Sequence, residues 1–207
     1  KDLLAHTHGL SNDPLVFRTA YSGEYPSDLR KLLKHTVYRT TEGDRAFNYS
    51  NLGYILAGII IEKLTEKSWQ QYFEDELFPA LKMEHTTATM DFESRLAALP
   101  FDHHSESILD SKKSQNTLHA AGGVYSTLPD MGQWLLLLTQ KDKSTSLPDA
   151  YLAPQITTSE NMGPFQMSGY GNGRISGSIE NTAIKFHFGS FKGYESMISV
   201  QPEKKQG

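Results

Sequence analysis

The chain has 207 residues, a formal net charge of −4, 38% hydrophobic residues and no cysteine. This length and apolar content suffice for the core of one domain without disulfides or a structural metal. The absence of cysteine excludes disulfides, thiolate metal sites and a cysteine nucleophile, and the dispersed charge disfavours a nucleic-acid partner, which requires clustered Lys and Arg.

Both ends of the sequence look internal to a longer protein. The chain begins at Lys1 without Met or a signal peptide, and it stops soon after a strand-like run that ends at Val200. We therefore expect the chain to be truncated at both ends. No run of 18 apolar residues occurs, so the sequence predicts no membrane span.

The first third of the chain carries helical patterns. Residues 1–5 are typical of the last part of a helix, which Gly9 would close. Ser27 can cap a short helix that carries Leu29, Leu32 and Leu33. After Asn51, six aliphatic residues follow the spacing of one buried helix face: Leu52, Ile55, Leu56, Ile59, Ile60 and Leu64.

Two capping patterns predict further helices. Ser68 with Gln71 three residues later is typical of a capping box, and Pro79 is expected to end the helix that follows. Thr127 with Asp130 begins a second amphipathic helix, whose apolar residues include Met131, Trp134, Leu135 and Leu138.

The pattern changes towards the C-terminus. Residues 90–118 are polar and irregular and predict a long loop. After residue 140, Gly, Ser, Asn and Pro become frequent and the apolar period falls towards two. Helices followed by antiparallel strands predict an α+β fold.

A hairpin is predicted near the end of the chain. Apolar and polar residues alternate over 184–188 and again over 194–200, with the turn "GSFKG" at 189–193 between them. The stretch "YGNGRISG" at 170–177 predicts a turn that leads into a strand, since its glycine spacing does not fit a phosphate-binding loop.

Four stretches occur in a fixed order: "LLAHTHGL" at 3–10, "YSN" at 49–51, "HAAGGVYSTLPDMGQWL" at 119–135 and "FHFGSFKGYES" at 186–196. Together they resemble the serine β-lactamase and penicillin-binding-protein superfamily, in particular its class C and esterase-like branch. The resemblance covers essentially the whole chain. It implies an αβα-layered, β-lactamase/transpeptidase-like fold, with an antiparallel sheet flanked by helices and a helical lobe across a cleft.

This resemblance also implies a division of the chain. Residues 1–207 would form a single, incomplete domain. Residues 1–140 would make up most of the helical lobe, and residues 141–207 would supply strands of the central sheet. The stretch "AAGGVYST" would be a signature of the fold, with glycines that permit a tight backbone course, rather than a catalytic motif.

Five residues acquire roles from the resemblance. Tyr49 would share proton transfer with a lysine, which a phenol can do if it relays the proton or if adjacent cations stabilise its phenolate. Asn51 would hold the substrate carbonyl and the lysine through its amide. His187 would point into the cleft to position substrate, Gly189 would let substrate approach the strand edge, and the backbone N–H of Ser190 would be an oxyanion-hole donor.

Two features depart from the family pattern. No S-x-x-K, the motif that supplies the family's nucleophile and lysine, occurs in the chain, so both residues are expected upstream of Lys1. His187 stands where the β-lactamases usually carry a lysine. With a reference pKa near 6.5, it is mostly neutral at pH 7 and attracts a substrate carboxylate weakly. This favours an esterase, peptidase or other hydrolase over an efficient β-lactamase.

Structural explanations exist for each of these residues. Ser50 or Asn51 could simply cap the helix while Tyr49 packs against its first turn. His187 could be a half-exposed histidine on a strand. His6-Thr7-His8 and His103-His104 fit short polar turns better than a metal site, because no acidic or cysteine partner accompanies them at ligand spacing.

The sequence therefore predicts that the intact protein is a serine hydrolase that forms an acyl-enzyme on an ester, amide or β-lactam bond. It predicts no cofactor and no metal, and a small-molecule or peptidoglycan-like substrate. One alternative is a binding or regulatory domain that keeps the fold without the nucleophile. Another is a peptidoglycan DD-peptidase. The resemblance alone suggests a periplasmic or extracellular location.

Overall fold

The computed structural model describes residues 1–11, 37–38, 46–89, 97–110, 119–139 and 149–207. The short helix predicted after Ser27 lies outside these residues. Within the described ranges, no helix is both long and apolar enough to cross a membrane.

Helices occupy much of the described chain before residue 153. They are α1 (Asn51–Thr65), α2 (Trp69–Tyr72), α3 (Phe78–Ala80), α4 (Leu128–Thr139) and α5 (Asp149–Leu152). A π-helical segment, Phe73–Leu77, joins α2 to α3, and 3-10 turns lie at His119–Ala121 and Pro202–Lys204.

The predicted apolar face of α1 is buried only in its first two turns. Leu52, Ile55 and Leu56 form a buried cluster against Leu3, Leu10, Ile59 and Ala121. Ile60 and Leu64, which the sequence placed on the same face, are exposed. The prediction was wrong for these two because the layer that covers α1 does not extend past Gly58, the last buried residue of the helix. At Gly58, a side chain would collide with Ala120, so glycine permits this close packing.

The helix predicted after Ser68 exists, and its capping is confirmed. The Ser68 hydroxyl oxygen accepts a hydrogen bond from the Gln71 N–H at 3.1 Å. Pro79 lies at the second position of α3, which continues the π-helical segment without a break. The helix ends one residue later, at Ala80, close to where the sequence placed its end.

One further expectation needs correction and one stays a prediction. Residues 1–5 form a turn in which the N–H groups of Leu4 and Ala5 donate to the Lys1 carbonyl, and the helix that this turn was expected to end stays a prediction. The predicted loop over 90–118 contains a small hairpin, in which strand β3 (Phe101–Asp102) pairs with β4 (Ser107–Ile108). Near the N-terminus, β1 (Leu10–Ser11) pairs with β2 (Val37–Tyr38).

A five-stranded antiparallel sheet forms the C-terminal part of the chain. Its strands are β5 (Ile156–Met162), β6 (Phe165–Gly171), β7 (Arg174–Ile179), β8 (Thr182–Phe191) and β9 (Tyr194–Val200). Each strand pairs with its neighbours in the chain, so the order is β5-β6-β7-β8-β9. The hairpin turn predicted over 189–193 is in fact two residues, Lys192 and Gly193, which leaves Gly189 and Ser190 inside β8.

One face of this sheet holds a buried core. Tyr170, Ile175 and Phe186 lie side by side on neighbouring strands, and Met167 and Ile184 complete the cluster. A separate cluster among the helices packs around Trp69, which is fully buried. Helices first and an antiparallel sheet last give the α+β arrangement that the sequence predicted.

Candidate active site

The tripeptide Tyr49-Ser50-Asn51 stands where the chain enters α1. Ser50 is the N-cap, and its hydroxyl oxygen accepts from the Leu52 N–H at 3.3 Å. Ser50, the middle residue of the motif, is therefore the residue that caps the helix, as one of the alternatives from the sequence proposed. Asn51 is the first residue of the helix and is half-buried, and Tyr49 precedes the cap with about half of its surface exposed.

His6 holds this tripeptide from the N-terminal turn. Its ring Nδ1 accepts from the Ser50 N–H at 3.1 Å, and its carbonyl accepts from the Asn48 N–H at 2.9 Å. The residue is only 1% exposed. Because Nδ1 is the acceptor, the proton of the neutral ring lies on Nε2.

Three tyrosine rings surround the His6 imidazole. The distances between ring centroids are 4.3 Å to Tyr49, 4.6 Å to Tyr170 and 5.4 Å to Tyr54. The Tyr54 hydroxyl donates to the Leu4 carbonyl at 3.0 Å, which ties α1 to the N-terminal turn. The sequence placed His6 in a polar turn and "YGNG" in another, so neither His6 nor Tyr170 was expected at the site.

His187 also lies near Tyr49, with 6.1 Å between their ring centroids. Its Nδ1 is 2.6 Å from the Phe188 carbonyl oxygen, which can only accept, so Nδ1 carries the proton. Its Nε2, 3.1 Å from the Tyr170 hydroxyl, is then the acceptor of the phenolic proton. Both ring nitrogens are therefore engaged inside the protein.

His6, His187 and Tyr49 are all neutral at pH 7. Burial lowers the pKa of His6 to about 4, with a smaller contribution from His8, and burial also lowers the pKa of His187. Burial raises the pKa of Tyr49. The phenol is thus protonated, and the imidazoles beside it carry no charge that would stabilise a phenolate.

The edge of β8 is open beside His187. β8 pairs with β7 only as far as Phe186, and among the described residues it then pairs with β9 alone. Residues that flank a two-residue turn form a hydrogen-bonded pair, and the two kinds of pair alternate from there. Ser190 faces Glu195 as a non-hydrogen-bonded pair, so its backbone N–H points to the open edge.

Tyr49, Tyr170 and His187 all line one cavity of about 210 Å³. Most of its lining is apolar, and the polar contributions come from Tyr49, His187, Tyr170 and Glu160. The remaining lining residues are Phe47, Met162, Met167, Ile175 and Phe188. Such a cavity has the chemistry of a pocket for the apolar part of a small substrate.

The structure brings together several of the residues that the sequence singled out. Tyr49 and His187 line one cavity, Asn51 follows Tyr49 at the helix start, and Gly189 and Ser190 continue the strand of His187. Alternation along a strand would put His187 on the face opposite Phe188, yet both line the cavity. The strand has lost its β7 neighbour at this point, so the ring can turn towards Tyr170.

Comparison with known proteins gives a consistent result. The family model described as Beta-lactamase matches residues 1–207. Protein flp from Staphylococcus aureus (strain MW2) is 26% identical over 212 residues, which are 100% of this chain and 41% of that protein. The D-amino acid amidase from Ochrobactrum anthropi SV3, complexed with L-phenylalanine, has a TM-score of 0.75 and 23% identity over 99% of this chain and 60% of its own. The octameric penicillin-binding protein homologue from Pyrococcus abyssi has a TM-score of 0.73 and 23% identity, over 98% of this chain and 49% of its own.

The two structural likenesses show the fold and confirm the predicted β-lactamase/transpeptidase-like architecture. The chain spans less than half the length of Protein flp. The family assignment rests on the family model, which matches every residue of the chain. The chain belongs to the β-lactamase family.

Proposed function

We propose that the protein containing this chain is a serine hydrolase that cleaves an ester or amide bond through an acyl-enzyme. The observation that carries this proposal is that Tyr49 and His187 line one largely apolar cavity, with His187 on β8 just where that strand loses its β7 neighbour. The nucleophilic serine and its lysine come from outside the chain, because no S-x-x-K occurs in it.

In the proposed reaction, the serine oxygen attacks the substrate carbonyl while its proton passes through the lysine and Tyr49 to the leaving group. Water then attacks the acyl-enzyme and releases the acid. Tyr49 suits a relay because burial raises its pKa and keeps the phenol protonated at pH 7. A standing phenolate would need a nearby cation, which the lysine can supply.

The other candidate residues serve the substrate. The Ser190 N–H points outward from β8 and would bind the oxyanion, and such a donor typically contributes about 3 kcal/mol to transition-state stabilisation. Gly189 keeps the strand edge clear, and Asn51 would bind the substrate carbonyl. His187 shapes the cavity through its bond to Tyr170.

The lining of the cavity favours a neutral, apolar acyl group. Met162, Met167 and Phe188 supply apolar surface, and the nearby His187 is neutral at pH 7. A β-lactam or a D-peptide presents a carboxylate that an uncharged imidazole attracts weakly. Esters and amides with apolar acyl groups are therefore proposed as better substrates than β-lactams.

Tyr49→Phe in the full-length protein tests this proposal. We expect kcat for an activated ester such as p-nitrophenyl butyrate to fall by about 10²-fold or more, since a positioned proton relay contributes on this scale. The matched control is Tyr72→Phe, which removes the same hydroxyl from α2, and it should leave kcat unchanged. Unchanged hydrolysis in Tyr49→Phe would contradict the proposal and favour a non-catalytic binding domain.

A further inference from the structure

We propose that His6 is a positioning residue that fixes Tyr49 for the reaction by clamping the backbone on both sides of it. This inference rests on the proposed function, since it assigns His6 a role at the same site. Neither the capping of α1 nor the burial of the core requires a histidine at this position.

The clamp consists of two hydrogen bonds made by one residue. The His6 carbonyl accepts from the Asn48 N–H at 2.9 Å, and the His6 Nδ1 accepts from the Ser50 N–H at 3.1 Å. Tyr49 lies between these two donors, so its backbone is held from both sides. The contact joins residues 44 positions apart and sets the tripeptide against the N-terminal turn.

The imidazole also supports the phenol ring directly. The centroids of His6 and Tyr49 are 4.3 Å apart with 38° between the ring planes, which is the closest of the three tyrosine contacts of His6. A catalytic group must be held within a few tenths of an ångström of its productive position, and packing of this kind restricts its rotation. His6 thus limits both the backbone and the side chain of Tyr49.

The Nε2–H group of His6 has no acceptor among the residues that the structure describes, and this argues that His6 does more than fill space in the packing. His6 Nε2 must carry the proton because Nδ1 accepts, yet within the described residues Nε2 has no hydrogen-bond partner although the side chain is 1% exposed. A buried N–H without a partner is destabilising. A leucine would avoid this penalty, but it could not accept the Ser50 N–H.

Two amide substitutions in the full-length protein test the inference. In His6→Asn, the side-chain oxygen can take the place of Nδ1 and keep the acceptor for Ser50, whereas in His6→Gln the polar atoms lie near the place of Nε2. We expect His6→Asn to keep most of the wild-type kcat and His6→Gln to lose about tenfold or more, with KM changed little in both. Equal kcat values in the two variants would overturn the inference.

His8 provides the matched control. Its Nδ1 accepts from the Leu10 N–H at 3.1 Å, so it also holds backbone, but that bond leads away from Tyr49. His8→Asn and His8→Gln should therefore have similar kcat values. A split as large as the one at His6 would show a general effect of the turn and would contradict the assignment.

One readout does not depend on activity. The ¹⁵N–¹H spectrum of the histidine ring at pH 7 should show His6 as the neutral Nε2–H form, and the Nδ1–H form would overturn the clamp.

If Tyr49→Phe leaves hydrolysis intact, the proposed function fails. If Tyr49→Phe is impaired while both His6 variants behave like wild type, only the positioning role of His6 fails.

Discussion

At the residue scale, His187 differs from the lysine that it replaces in the family pattern in more than charge. Both of its ring nitrogens are occupied, one by the Phe188 carbonyl and one by the Tyr170 hydroxyl. The imidazole therefore lines the cavity in a fixed orientation, and the bond to Tyr170 helps to set that orientation. A substrate that needs a cation at this point finds none on His187, because burial lowers the pKa of the ring.

Gly189 permits a specific test of the open edge. A Cβ at this position would press on the hydroxyl of Ser196 across the ladder, and that hydroxyl can rotate away. We therefore expect Gly189→Ala to fold with a free energy of unfolding within about 1 kcal/mol of wild type. Its kcat/KM for p-nitrophenyl butyrate should nevertheless fall by about tenfold or more, because the methyl group would project from the sheet face next to the edge that the substrate approaches.

The double variant Gly189→Ala/Ser196→Ala separates the two explanations of such a loss. Removal of the Ser196 hydroxyl relieves the contact with β9 but leaves the methyl group on the sheet face beside the open edge. Persisting loss in the double variant supports substrate approach along β8. Recovery of kcat/KM would assign the effect to strain against Ser196 and would contradict the role of Gly189.

At the element scale, α4 is tied to the loop after α3 through one buried carboxylate. Asp130 is 4% exposed, and its Oδ2 accepts from the His85 N–H and from the Thr86 hydroxyl, each at 2.7 Å. The Thr86 oxygen also lies 2.7 Å from the Ser126 hydroxyl, directly before α4. Bonds to a charged acceptor are stronger than neutral ones, so this network fixes where α4 begins.

Asp130→Ala should destabilise the protein by about 3 kcal/mol. The substitution removes two charge-assisted hydrogen bonds and leaves the His85 N–H and the buried Thr86 hydroxyl to find new partners. Urea denaturation at pH 7 measures the change. The control is Gln133→Ala, an exposed position on the same helix, which should change the free energy of unfolding by less than about 0.5 kcal/mol. Equal effects of the two substitutions would show that the Asp130 hydrogen bonds do not contribute to the free energy of unfolding.

The elements that the sequence predicted well are those set by local interactions. The caps at Ser68 and Thr127 act within three residues, as in the bonds to the Gln71 and Asp130 amides. The final hairpin follows from alternation along the chain. Local patterns could not show where the layer over α1 stops, and so Ile60 was placed inside.

The candidate site was predicted only where the family resemblance supplied a residue. Tyr49 and His187 came from motifs, and the structure places both at one cavity. The contact of His6 with Ser50 spans 44 residues, and that of Tyr170 with His187 spans 17 residues across the sheet. Such pairs depend on tertiary packing, which no spacing rule in a single sequence encodes. The catalytic and binding roles of the five residues stay predictions.

At the scale of the whole molecule, the buried histidines couple stability to pH. Burial lowers the pKa of His6 to about 4 and that of His119 to about 4, although the Glu62 carboxylate lies 3.8 Å from the His119 Nε2. In the unfolded chain both rings titrate near 6.5. Between these values the unfolded chain binds more protons, so falling pH favours unfolding.

We therefore expect the free energy of unfolding to be unaffected by these two rings above pH 6.5 and to fall as the pH drops towards 4. Each ring contributes a loss on the order of 2–3 kcal/mol over this interval. Urea denaturation at pH 7 and pH 4.5 measures the total, to which His8 and His187 add because burial lowers their pKa values as well. The pKa values of Glu74 and Asp102 are lowered, so their carboxylates titrate mainly below this interval.

His6→Asn and His119→Asn assign the effect to particular rings. Each variant lacks one buried imidazole, so its stability at pH 4.5 should lie closer to its own stability at pH 7 than in the wild type. The control is His104→Asn on the exposed hairpin, which should keep the full wild-type difference. If all three variants keep the wild-type difference, the acid sensitivity arises elsewhere. A difference reduced only at His6 would link the loss of stability in acid to the same bond that holds Tyr49, because a protonated Nδ1 cannot accept from the Ser50 N–H.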